Sequence, residues 1–86
     1  MSKQRILVNI FNEQYALKSD LSEDHVQELA EYVDSRMKKI SAIQPSLASS
    51  RIAVLVALEL ADESIKNKRA YDSLISALRD EMLTTF

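Results

Sequence analysis

The chain has 86 residues, no cysteine, one histidine and a net charge of −2. That composition excludes a disulfide framework, a thiolate or imidazole metal cluster, and a bulk positive field that would draw a polyanion. Hydrophobic residues make up 47% and charged residues 28%, the balance of a folded chain, but one this small has a thin core and, without disulfides or metal, its remaining support is association with other copies.

Glycine is absent and proline occurs once. Glycine is the usual residue for positive φ in tight turns and helix ends, so few sharp reversals and long uninterrupted elements are expected. The opening Met1 to Arg5 runs straight into an alternating segment, unlike the apolar stretch of a signal peptide. The longest apolar run, Ile52 to Leu58, falls far short of the roughly 20 residues of a membrane-spanning helix. A cytoplasmic chain is the expectation.

Arg5 to Phe11 alternates, with Ile6, Val8 and Ile10 on one side and Leu7, Asn9 and Phe11 on the other. β-Branched enrichment makes this a strand. Glu13 to Lys18 is a second, with Tyr15 and Leu17 on one face, and Asn12 between them tolerates left-handed φ. A hairpin turning near Phe11, Asn12 and Glu13 is therefore expected, and it must pack on something, because a lone hairpin is marginal.

Asp20 or Ser22 next caps a helix over Ser22 to Ser41. Val26, Leu29, Ala30, Val33, Met37 and Ile40 form its apolar stripe at helical spacing. Gln44, Pro45 and Ser46 break it, since proline disfavours the helical region for its predecessor. From about Leu47 onward nothing stops a second helix. At 1.5 Å per residue, about 36 helical residues span roughly 54 Å, against about 30 Å for the first helix. The long helix is expected to project beyond its own fold.

Its first third, Ile52 to Leu58, is apolar all round and reads as buried on nearly every side, so that Leu55→Asp would unfold the chain. The remainder is amphipathic. Val54, Ala61, Lys68, Ile75 and Met82 take heptad position a, and Ala57, Ser64, Tyr71 and Leu78 take position d. Leu58 and Ile65 flank one side of this seam, Leu60 and Leu74 the other, and Ser64, Asn67 and Lys68 interrupt it. The expected oligomer interface is Val54, Leu58, Ala61, Ile65, Tyr71, Leu74, Ile75, Leu78 and Met82. The fold class is α+β: a hairpin, a short helix and a long helix, with a head over residues 1–60 and a coiled-coil tail over 61–86.

Other clusters favour structural readings. His25 and Glu28 sit one helical turn apart with no third metal ligand. Lys66 to Arg69 is basic, but Asp62, Glu63 and Asp72 flank it and no aromatic platform accompanies it, so a solvated helix face outweighs a nucleic-acid site. Tyr15, Tyr32 and Tyr71 suit core or oligomer packing more often than recognition. Ser46, Ser49 and Ser50 have no nearby base, and without glycine there is no phosphate loop or dinucleotide fingerprint. No enzyme, cofactor or metal is expected.

Three stretches carry a family resemblance across nearly the whole chain: Arg51 to Glu63 (RIAVLVALELADE), Val8 to Tyr15 (VNIFNEQY) and Leu29 to Met37 (LAEYVDSRM). With the element order, they resemble the ZapA family of bacterial cell-division proteins. The resemblance implies a cytoplasmic homodimer with interlocked heads, joined through the tails into a homotetramer. It also implies heads that bind FtsZ, the tubulin-like division GTPase, and a tetramer that cross-links protofilaments at the midcell ring. The chain departs from the family pattern at Asn12, where glycine is usual, at Glu13, where a basic residue is frequent, and at Glu59, where asparagine is frequent. Candidate partner-facing residues are Glu13, Lys18, Arg36, Lys39 and Arg51, the last equally a structural residue of the head. The competing expectation is a homo-oligomeric coiled-coil scaffold for another cytoplasmic protein.

Overall fold

The computed structural model describes residues 3–84, with side chains through residue 78. Strand β1 (Gln4–Ile10) and strand β2 (Glu13–Ser19) are followed by helix α1 (Glu23–Ile43) and helix α2 (Ser49–Thr84). The expected elements are present in the expected order. Backbone contacts divide the chain into two units, Met1–Val56 and Ala57–Phe86.

The hairpin is antiparallel, with Ile10 opposite Glu13 and Gln4 opposite Ser19. Two residues make the reversal, Phe11 at φ 51° and Asn12 at φ 67°. Positive φ at both central residues is the type I′ geometry whose twist matches the flanking strands. Asn12 suits that region, whereas a bulky Phe11 is held there against a cost of about 1–2 kcal/mol. Part of the compensation comes from α1, where Asp34 Oδ1 accepts the Phe11 N–H at 2.7 Å.

Ser22, not Asp20, caps α1, its hydroxyl accepting the His25 N–H at 3.2 Å, and Glu23 and Asp24 suit the positive end of the dipole. The helix runs to Ile43, two residues past the expected end at Ser41, because Gln44, directly before Pro45, serves as the cap with its N–H on the Ile40 carbonyl. α2 begins at Ser49 rather than Leu47, for the Leu47 N–H closes a turn on the Gln44 carbonyl and the Ala48 carbonyl takes the first helical bond.

Ile6, Val8, Val26 and Ala30 form the core cluster, with Ile10 packed against it. α1 lies on β1, and the stripe it buries is Val26, Ala30 and Met37, with Val33 half-buried. Leu29, expected in that stripe, is exposed. Residues 26, 30, 33 and 37 follow a line of i, i+4, i+7 and i+11, and Leu29 falls beside it. At the start of α2, Ile52 and Val56 are buried, but Val54, Leu55 and Leu58 are exposed. Burial on nearly every side of Ile52 to Leu58 is therefore not achieved by one chain: residues four apart share one face, and only that face is covered. The second unit is the rest of α2, carrying an Asp62–Lys66 ion pair at 2.9 Å on its surface.

Candidate interaction surface

The register of the hairpin sets up its most telling asymmetry. Ile6, Val8 and Ile10 stand opposite Leu17, Tyr15 and Glu13, so all six share the face turned toward α1. Ile6 and Val8 are each 1% exposed, whereas Tyr15 and Leu17 are 44% and 42% exposed. α1 covers one strand and stops. The uncovered half borders an apolar groove of about 460 Å³, lined among others by Tyr15, Leu17, Val33, Met37 and Ala53. Glu13 stands at its rim, its carboxylate accepting the Tyr15 hydroxyl at 3.2 Å. That neighbouring carboxylate raises the phenol's pKa above its ordinary range, by hydrogen bonding first and by charge second.

Two α1 side chains clamp the hairpin. Gln27 Nε2 donates to the Leu7 carbonyl at 2.8 Å. Asp34 takes the turn amide through Oδ1 and Lys38 Nζ through Oδ2 at 2.9 Å. The Lys38 bond, then the Phe11 amide, lower the Asp34 pKa below its ordinary value. Gln27 and Asp34 are two helical turns apart, so one face of α1 holds both the strand and the turn.

The five expected partner-facing charges do not converge. Glu13 borders the groove just described. Lys18 borders a shallower depression with Leu21 and Leu29. Arg51 borders a third with Gln44, Leu47, Val54 and Leu55. Arg36 and Lys39 line none of the three. The Arg36 guanidinium lies 4.9 Å above the Tyr32 ring centroid and donates to the Tyr32 hydroxyl at 2.5 Å, which anchors it along α1. Arg51 is exposed and has no ion-pair partner among the described residues. Its structural reading, a pairing within the head, finds no counterpart there.

Of the expected oligomer interface, Val54, Leu58, Ala61, Ile65, Tyr71, Leu74 and Leu78 are exposed and Ile75 is half-buried. The Met82 side chain lies outside the described residues. Within the basic run, Asp62 holds Lys66 by a hydrogen bond and by charge, raising the ammonium pKa. His25 Nδ1 stands 4.0 Å from Glu28 on an exposed helical turn, and no metal-binding group occurs among the described residues. No described helix is long and apolar enough to cross a membrane. The apolar groove and the two α1 clamps escape sequence inspection. Tyr15 and Leu17 on one face is the only signal that pointed to the groove.

The chain's relatives share this architecture. A family model described as "Cell division protein ZapA" matches residues 6–84. Cell division protein ZapA of Geobacillus sp. (strain WCH70) is 37% identical over 79 residues, covering 92% of this chain and 91% of that one. The protein of the same name from Bacillus mycoides (strain KBAB4) is 38% identical over 73 residues, covering 85% and 82%. Among solved structures, a "ZapA mutant dimer from Geobacillus stearothermophilus" superposes with a TM-score of 0.74 at 33% identity, covering 92% of both chains. An "unknown conserved bacterial protein" from Pseudomonas aeruginosa PAO1 shares the fold, with a TM-score of 0.71 at 23% identity over 91% of this chain and 87% of that one.

Proposed function

Because the chain belongs to the ZapA family of cell-division proteins, we propose that it is an adaptor that binds FtsZ and bundles its protofilaments in the cytoplasm, at the midcell division ring. It is not an enzyme. The work of such an adaptor is to hold two or more FtsZ-binding heads together. The observation that carries this reading is the run of exposed apolar side chains along α2, from Val54 and Leu58 through Ile65, Tyr71 and Leu74 to Leu78. Each such side chain gains about 1.5–3 kcal/mol when fully buried, and α2 beyond Val56 has no other element in its own unit to bury them. A second copy supplies that cover, in keeping with the related dimer from Geobacillus stearothermophilus. Dimers joined through their tails into a tetramer then present several heads at once.

Multivalency makes weak head contacts sufficient, because a linked second head meets the polymer at high effective concentration. The charged residues Glu13, Lys18, Arg36, Lys39 and Arg51 are the proposed FtsZ-facing set. Arg51 leads it, being exposed with no ion pair among the described residues.

Co-sedimentation with FtsZ polymers and electron microscopy of the pellets test the proposal. The chain pellets with polymer and turns single protofilaments into bundles. Leu78→Asp, which breaks the tail seam and leaves the heads folded, lowers the assembly mass in sedimentation equilibrium and loses bundling before it loses binding. A chain that neither pellets nor bundles at any salt concentration returns the reading to a scaffold for another protein.

A further inference from the structure

The hairpin has a second face, turned away from α1, and the charges on it work against the hairpin's own stability. Alternation puts Arg5, Leu7 and Asn9 of β1 there, opposite Lys18, Ala16 and Gln14 of β2. All six are exposed, and so is Lys3, one alternation before Arg5. The two-residue turn makes Ile10 and Glu13 a hydrogen-bonded pair, so alternation along the ladder leaves Arg5 and Lys18 a non-hydrogen-bonded pair. Pairs of that kind stand closest, with Cα atoms about 4.5 Å apart. Two cations are thus held side by side, and like charges directly opposite one another destabilise a sheet. No carboxylate relieves them. Lys3, Arg5 and Lys18 have no ion-pair partner among the described residues, and none of the six residues of this face is acidic. The chain as a whole carries a net charge of −2, so this is a local concentration of positive charge on an acidic protein.

A lysine on an exposed strand commonly guards it against pairing with other strands. Lys18 alone does that. An arginine set opposite it adds nothing to the guard and weakens the hairpin, and a local rule broken without structural gain marks a functional site.

We propose that this outer face is a docking site for an acidic segment of the chain's protein partner, with a carboxylate seated between Arg5 and Lys18 and Lys3 adding charge beside them. This rests on the adaptor role proposed above and specifies the chemistry that one surface of the head accepts. Lys18 belongs to the FtsZ-facing set already named; Arg5 and Lys3 extend it on the same face.

The rest of the face selects the occupant. The distance from the Arg5–Lys18 pair to the Asn9–Gln14 pair is about 14 Å at 3.4 Å per residue, room for about four residues of extended peptide. Leu7, 49% exposed, and Ala16 occupy the middle, and the amides of Asn9 and Gln14 end it near the turn. Carboxylates are held at one end, an apolar side chain in the middle and main-chain groups at the other. Nucleic acid fits less well, because the face has no aromatic ring for a base to stack on. An anionic lipid surface also fits less well. Lipid-binding clusters gather about 4–8 cations, and the chain's negative net charge opposes approach to an extended negative plane. A carboxylate between two cations instead gains charge-assisted hydrogen bonds at short range.

The full chain tests this, with a fluorescent oligoglutamate peptide as the probe. Wild type binds it in anisotropy titrations, and binding weakens as salt rises past about 0.1 M, where the Debye length is about 10 Å. Arg5→Glu and Lys18→Glu each set opposite charges across the strand pair. Their thermal midpoints therefore rise, while their affinity for the peptide falls about ten-fold or more. Should one of them fail to fold, the other decides. Arg69→Glu makes the same change in net charge on the tail and leaves peptide binding unaltered. Unchanged affinity in Arg5→Glu and Lys18→Glu overturns the site, and an equal loss in Arg69→Glu assigns binding to bulk charge and overturns it too. Binding of wild type to phosphatidylglycerol vesicles through Arg5 and Lys18, with none to the peptide, gives the face to a membrane and likewise overturns it. Co-sedimentation separates the site from the adaptor role. Wild type and Arg5→Glu pelleting equally with FtsZ overturns the outer face and leaves the adaptor standing. Wild type that binds the peptide through Arg5 and Lys18 but never pellets with FtsZ keeps the face for another acidic protein and removes the adaptor.

Discussion

Strands β1 and β2 are each seven residues long and paired along their whole length, yet one is the core and the other is surface. Ile6 and Val8 are sealed under α1, while Tyr15 and Leu17, their neighbours on the same face, are open. β1 is the more apolar strand, but Leu7 on it is exposed as well, so composition alone does not account for the contrast. Coverage does. One helix is about 10 Å across with its side chains, and paired strands lie about 4.8 Å apart, so a helix seated on one strand and clamped to its outer edge by Gln27 leaves the other bare. In a single chain the hairpin is covered on one strand and bare on the other.

The contrast breaks most sharply by placing a charge on each strand in turn. Val8→Asp buries an unpaired carboxylate in the core cluster and costs about 4 kcal/mol or more, enough to unfold a domain this small. Leu17→Asp, one strand over on the same face, costs a dilute single chain less than about 1 kcal/mol. Its effect is on association, at least ten-fold weaker by sedimentation. Equal unfolding by both in urea would erase the distinction. Leu55→Asp extends the comparison to α2: at 40% exposure it leaves the chain folded by circular dichroism and weakens its assembly, where the reading from sequence had it unfold.

Smaller effects come from the turn that joins the strands. Replacing Phe11→Asn together with Asn12→Gly installs the preferred type I′ pair and relieves left-handed strain, raising stability by about 1 kcal/mol in thermal or urea unfolding. Asp34 supplies the smallest and most diagnostic change. Its folded pKa is lowered by Lys38 and the Phe11 amide, so its contribution is fully present above the unfolded aspartate value near 3.9 and is lost as pH falls through the lower folded value. Asp34→Asn flattens the melting temperature against pH in that acid window and leaves the profile above about pH 6 parallel to wild type. An unchanged acid slope would remove Asp34 from the turn's support.

Much of the architecture was legible in the chain itself. Period-two alternation marked the strands at Arg5 to Phe11 and Glu13 to Lys18, and Asn12 marked the reversal. Ser22 and Pro45 bracketed α1, and the absence of glycine and proline after Pro45 left α2 unbroken. These are local signals, decided within a few residues by backbone sterics and capping. The surface was less legible. Glu13, Lys18 and Arg51, grouped by charge, stand beside three different depressions. Leu29, in phase with the apolar stripe, falls just outside it. Side-chain period tells which residues share a face but not how wide a neighbour the face will meet.

Sequence alone pointed to association with other copies: a thin core without cysteine, and an apolar seam along a long unbroken helix. Tertiary structure decided where one copy ends its own burial. α1 could have straddled both strands, and no pattern of residues forbids it. The Gln27 bond to Leu7 and the Asp34 bond to Phe11 hold it over β1. Those contacts join residues twenty or more positions apart, so only the folded chain brings them together, and they leave Tyr15 and Leu17 exposed.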